Sequence, residues 1–156
     1  MRERIALAPL LRETVSPSYS DLVTRPTGVS LRSRIEAMIA ASPHPTAQLD
    51  FSSIGLLDMS CADEIVAKLI LGVSDDRPRY FVLLNVSDCH QDAIEHVLEN
   101  HRLTVIAMLD QAETPCILGW RTPDLTAAFG TVVSLGPGDA GRVADALGWT
   151  VERAAD

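Results

Sequence analysis

The chain has 156 residues, 47% of them hydrophobic and 22% charged, with a formal net charge of −8. That is enough length for one well-filled domain with a small appendage, and the composition is that of a folded globular protein, not a disordered or fibrous one. The acidic excess opposes broad electrostatic binding to nucleic acid or to an anionic membrane surface.

The longest apolar runs, at residues 81–84 and 105–109, fall far short of the roughly 20 residues that cross a bilayer. The opening Met1-Arg2-Glu3-Arg4 leads into a short apolar stretch broken by Pro9, which lacks the pattern of a secretory signal. Three widely spaced cysteines, Cys61, Cys89 and Cys116, read as the reduced thiols of a cytoplasmic protein.

In chain order, residues 4–13 are apolar enough for a short strand, punctuated by Ser16-Pro17-Ser18, and 22–24 form a second. After a turn around Pro26 and Gly28, Leu31, Ile35, Met38 and Ile39 mark one face of a helix that ends at Ser42-Pro43-His44-Pro45. Leu49 and Phe51 then alternate with Gln48, Asp50 and Ser52, the period of a strand. Past Gly55 the period lengthens. Ala62, Ile65, Val66 and Leu69 fall at helical spacing, with Asp63, Glu64 and Lys68 between them and a stop near Gly72. Ser60 is the predicted N-cap of that helix, and Asp63 three residues on completes a weak capping box.

Asp75-Asp76-Arg77-Pro78 predicts a charged surface turn. Residues 80–86 are almost all apolar, the mark of a mid-sheet strand covered on both faces. Ala93, Ile94, Val97 and Leu98 form the buried stripe of another helix whose Asp92, Glu95, His96 and Glu99 face water. Residues 103–109 and 116–120 read as strands, and the link between them is too short for a parallel crossover, so they predict an antiparallel hairpin. Strands separated by helices and closed by a hairpin define an α/β fold, a mixed sheet with helices packed on it.

Residues 1–121 make up that domain, and 122–156 a helical appendage. Within the appendage, 122–129 predict a short helix, 131–135 a strand and 139–147 a helix, after which Thr150 caps a last turn. The phrase from Asp139 onward is like the start of a helix-turn-helix. Its final segment carries Arg153 as its one base, so packing is the expected role and DNA binding the minor one.

Other motifs fit structural readings better than chemical ones. Cys89, Asp92, His96 and Glu99 share a helical face, but the spacing is not that of a zinc site. The string Gly136-Pro137-Gly138-Asp139-Ala140-Gly141 matches a dinucleotide fingerprint, yet the chain continues only to Asp156, without the second strand and acidic residue such a site needs. Asp58, Asp63 and Glu64 sit where a helix start favours carboxylates, and no nucleophile-base pair lies near them in sequence.

The strand around Leu49-Asp50-Phe51-Ser52, its turn and the helix beginning near Ser60 resemble the STAS domain, the module of anti-sigma factor antagonists and of sulphate transporter tails. In that family an Asp-Ser-Ser/Thr-Gly motif opens the helix, and its second hydroxyl residue is phosphorylated by a partner kinase. Asp58 matches the motif's Asp and Ser60 its phosphorylated residue, while Met59 replaces the first Ser and Cys61 the Gly. Ala62-Asp63-Glu64 and Thr24-Arg25-Pro26-Thr27-Gly28 look more like the STAS-like families of unknown function.

The resemblance implies a non-enzymatic signalling module without a cofactor. It would dock a protein partner, a serine kinase of the anti-sigma type or another regulator, through Asp58, Met59, Ser60, Cys61, Asp63 and Glu64. Phosphorylation of Ser60 would place about two negative charges in that surface and repel an acidic partner. The alternative is a ligand-sensing or DNA-associated transcriptional regulator that uses the C-terminal helices, and a small hydrolase ranks third.

Overall fold

A computed structural model describes residues 2–74 and 79–155; the predicted turn at 75–78 lies outside the described residues. The chain is α/β and falls into two compact units, residues 1–120 and 121–156. In the first unit, strands β1 (Arg2–Ala6), β2 (Thr46–Asp50), β3 (Tyr80–Val86), β4 (Thr104–Leu109) and β5 (Cys116–Gly119) form one sheet in the order β1-β2-β3-β4-β5. The first four are parallel and β5 runs antiparallel to β4, so the expected hairpin is present and the sheet is mixed.

Parallel neighbours taken in sequence order require a crossover of the same hand each time, which brings every connection to the same side of the sheet. The helices accordingly form one layer and touch one another in chain order. α1 (Leu7–Thr14) packs on α2 (Arg25–Ala41), α2 on α3 (Met59–Ala62), and α3 on α5 (Asp88–His101). α3 continues through a π-helical turn (Asp63–Ala67) into α4 (Lys68–Leu71).

Ile5, Leu49, Leu83 and Ala107 form one row across four strands, and none is more than 1% exposed. Leu31, Ile35, Ile65, Ile94 and Leu98 of the helix layer belong to the same core. Full burial stabilises by about 1.5–3 kcal/mol for each such large side chain, before conformational entropy is counted. Where α2 crosses α3 the backbones come close. A Cβ on Gly28 would lie 3.0 Å from Glu64 Cβ and 3.1 Å from Cys61 Cα.

Four expectations change. The stretch 4–13 is a strand only to Ala6 and then a helix, because Leu7, Leu10 and Leu11 bury at helical spacing. Residues 22–24 contribute a single parallel bridge, Leu22 to Leu57, not a strand. β3 lies mid-sheet but is not covered on both faces: Leu83 and Val86 are buried, whereas Val82 and Leu84 are intermediate and Tyr80 is 63% exposed.

In the second unit, the strand expected at 131–135 is the end of one helix, α6 (Pro123–Leu135). Thr122 caps it by accepting a hydrogen bond from the Leu125 N–H at 3.1 Å, and Pro123 suits its first position. The Gly-rich string at 136–141 therefore follows a helix and lacks the strand of a dinucleotide site. α7 (Ala140–Leu147) is capped by Asp139, and α8 (Val151–Ala155) by the Thr150 hydroxyl, which accepts from the Arg153 N–H at 3.3 Å. Among the described residues no helix is long and apolar enough to cross a membrane.

Candidate functional site

The loop from β2 to α3 crosses the carboxyl end of the sheet. Buried Phe51, Ile54 and Leu57 anchor it, and it delivers Asp58 in extended conformation to the start of α3. One Asp58 oxygen accepts a hydrogen bond from the Cys61 N–H at 2.7 Å, the other from the Thr24 N–H at 2.8 Å. The N-cap is therefore Asp58, not Ser60, and the capping box of Ser60 with Asp63 does not form. Ser60 is the second residue of the helix, half-buried, and among the described residues its hydroxyl has no hydrogen-bond partner.

Asp63 is taken by charged and hydrogen-bonding neighbours instead. It meets Arg25 at 2.9 Å, His101 at 2.9 Å and Lys68 at 3.6 Å. Glu64, with its side chain 1% exposed, meets Arg25 at 2.6 Å, Arg32 at 3.0 Å and also Lys68. Burial would raise both carboxyl pKa values. For Glu64 the bonds from Lys68 and Arg25 outweigh it, and for Asp63 those from Arg25 and His101, so both are lowered. A buried carboxylate with three cations is a structural knot, because leaving it unpaired would be very costly.

Cys61 is fully buried and its thiol donates to the Thr24 carbonyl at 3.0 Å. Burial, then the Asp58 charge, pushes its pKa up to about 12. Of the six residues expected to meet a partner, Cys61 and Glu64 are thus enclosed. Asp58, Met59, Ser60 and Asp63 retain surface, Met59 with 55% exposure.

Across from this corner stands α5. Leu57, Asp58 and Met59 face Cys89, Asp92, Ala93 and His96 over an open groove of about 490 Å³. Cys89 and Ser87 lie 3.0 Å apart, sulfur to hydroxyl oxygen. No cluster of three or more metal-ligating side chains occurs among the described residues.

A second polar site, which the sequence did not point to, lies at the carboxyl ends of β2 and β3. Asp50 accepts from Arg4 Nε and Nη2 at 3.1 and 2.7 Å, from the Ser52 N–H and hydroxyl at 3.0 and 2.7 Å, and from the Asn85 amide at 2.7 Å. Burial raises its pKa, but the bonds from Asn85, Ser52 and Arg4 more than reverse this and hold it well below the usual carboxylate range. Ser53 and Asn85 both have left-handed backbone, φ 62° and 55°. Together with Ser87, His90 and Asp110 they line a pocket of about 240 Å³.

His90 donates from Nε2 to the Gly55 carbonyl at 2.7 Å, and Nδ1 accepts the Ser87 N–H at 3.4 Å, so both ring nitrogens are used. That second bond completes a capping box at the start of α5. A His at the third helical position after a Ser was the sequence signal for it.

The fold and these sites define an α/β domain with a corner where α2 and α5 both pack on α3 and a polar pocket at the carboxyl ends of β2 and β3. Set against protein-family models, curated proteins and solved structures, the chain matches none.

Proposed function

We propose that this chain is a non-enzymatic, cytoplasmic regulatory module, STAS-like in design, which docks a protein partner through the corner at Asp58, Met59, Ser60 and Asp63. Ser60 is its switchable residue, and a serine kinase of the anti-sigma type is the expected modifier. One observation carries the reading. Ser60, a residue of intermediate burial, stands in the first turn of α3 beside an exposed Met59, its hydroxyl without a hydrogen-bond partner among the described residues, while Asp58 performs the capping that would otherwise occupy it.

A hydroxyl with no hydrogen-bond partner among the described residues gives up no bond within the fold when it is modified. The knot around Asp63 and Glu64 fixes the turn behind it, so added charge there acts on whatever approaches and not on the fold. A non-enzymatic role is supported by the same bonds. Asp63 and Glu64 are consumed by ion pairs and His90 by two backbone groups, which leaves them poor general acids or bases.

The test is to incubate the protein with candidate kinases and ATP and to locate phosphate by mass spectrometry, then to compare partner capture by wild type and Ser60→Asp. Phosphate on Ser60 and altered capture support the switch. Unmodified Ser60 together with unchanged capture overturns it.

The 240 Å³ pocket lined by Ser52, Asn85, His90 and Asp110 favours a second reading, in which the domain senses a small polar ligand. A thermal-shift screen with polyols and sugars tests it, since binding to the native state alone must raise the melting temperature.

A further inference from the structure

We propose that the groove between the start of α3 and the outward face of α5 receives a basic, apolar-anchored segment of the partner protein, and that a phosphate on Ser60 tightens this contact. The location and the phosphate on Ser60 rest on the docking reading above; the partner's chemistry and the direction of the effect do not.

The groove is apolar at its floor and acidic at its walls. Leu57 and Ala93 are 7% and 8% exposed beneath it, and Met59, over half exposed, offers an adaptable thioether at its rim. Asp58 and Asp92 line it, and exposed Asp88 lies at the start of the same helix. Asp88 and Asp92 have no ion pair among the described residues, unlike Asp63 and Glu64, whose charges are met within the fold. Among the described residues neither Lys nor Arg lines the groove, and His96 is its one basic ring. With the chain at −8 overall, an acidic segment is repelled before it arrives, and one with Arg or Lys beside a Leu-sized side chain is matched in both charge and polarity.

Ser60 directly follows Met59, so a dianion on its hydroxyl stands within the screening length of about 8 Å from the groove. It adds to a field that is already negative. The repulsion of an acidic partner expected from the sequence is therefore replaced by stronger attraction of a basic one.

The test uses the full chain and fluorescein-labelled peptides of about twelve residues, one alternating Leu with Arg and one Leu with Glu, followed by anisotropy. The Leu/Arg peptide is expected to bind, and to weaken about tenfold between roughly 50 and 200 mM salt. Asp92→Lys should weaken it about five- to tenfold and Met59→Gln several-fold, while Glu13→Lys, the same charge change on α1 of the same unit, leaves it within about twofold. Ser60→Asp should tighten it about twofold.

Equal losses in Asp92→Lys and Glu13→Lys would mean diffuse attraction and overturn the inference. Binding of the Leu/Glu peptide that is lost in Met59→Gln would overturn the basic partner but leave the docking corner standing. Binding indifferent to Met59 and Asp92 alike would remove both. Circular dichroism of each variant confirms that these surface changes leave the fold intact.

Discussion

The Asp58 carboxylate accepts the Thr24 N–H at 2.8 Å while its other oxygen caps α3, so one side chain ties together the starts of two helices 34 residues apart. Thr24 is held at φ 71°, which a β-branched residue avoids unless its surroundings impose it. Asp58→Ala removes the cap and this tie together and should lower stability by about 2 kcal/mol. Thr24→Gly relieves the strain and should raise it by about 1 kcal/mol. Urea titration of both variants checks the pair, and a Thr24→Gly protein weaker than wild type would refute the strain.

Ser60→Ala separates the structure from the simpler sequence expectation. A capping serine costs about 0.5–2 kcal/mol when replaced by Ala, whereas a second-position serine with an unused hydroxyl should change stability by less than about 0.5 kcal/mol. Chemical denaturation decides between them, and a loss above about 1 kcal/mol would return the cap to Ser60.

Glu64→Gln leaves Arg25, Arg32 and Lys68 around a neutral side chain. Breaking a buried ionic cluster from one side costs about 3–5 kcal/mol. The variant should therefore be far less stable than wild type, with the loss visible as a lower melting temperature. A near-neutral result would show that the cations relax into solvent.

Acid should unfold the domain in a defined window. Asp50, Asp63 and Glu64 all have native pKa values below their ordinary ones. For a lowered carboxyl pKa, the stabilisation is complete above the unfolded value near pH 4 and is lost as pH falls through the native value. Stability should thus be flat from about pH 7 to 5 and drop steeply below about pH 4. Asp50→Asn should be less stable at neutral pH, with its deficit shrinking as pH falls under about 4. A constant deficit at every pH would contradict the linkage.

The cysteines should differ in reactivity. Cys61 is fully buried with its thiol pKa pushed up to about 12, and Cys89 is exposed. Iodoacetamide at pH 8 should alkylate Cys89 in the native protein and reach Cys61 only after denaturation. Peptide mass spectrometry reads the order, and early labelling of Cys61 would mean that the contact of α2 with α3 opens readily.

Much of the fold was legible because its signals are local. The alternation around Leu49 and Phe51, the stripe of Ala93, Ile94, Val97 and Leu98, and the short link before Cys116 each fix an element through neighbours only a few residues away. The errors fell where local signals conflict. Residues 5–11 are apolar at both periods, and only the packing of Leu7, Leu10 and Leu11 into the core chose a helix. Thr131, Val132 and Val133 favour a strand by propensity, but a helix already started by Thr122 and Pro123 runs through them.

At the site, sequence alone determined that a helix opens near Asp58 to Ser60 with acidic residues in its first turns. Asp and Ser are nearly equal caps, so the choice between Asp58 and Ser60 needed the Thr24 amide from another helix. The burial of Glu64, amid residues that read as a solvated face, likewise needed Arg25 and Arg32 from α2. A carboxylate can leave water only where distant cations converge on it, and that convergence exists only in the folded chain.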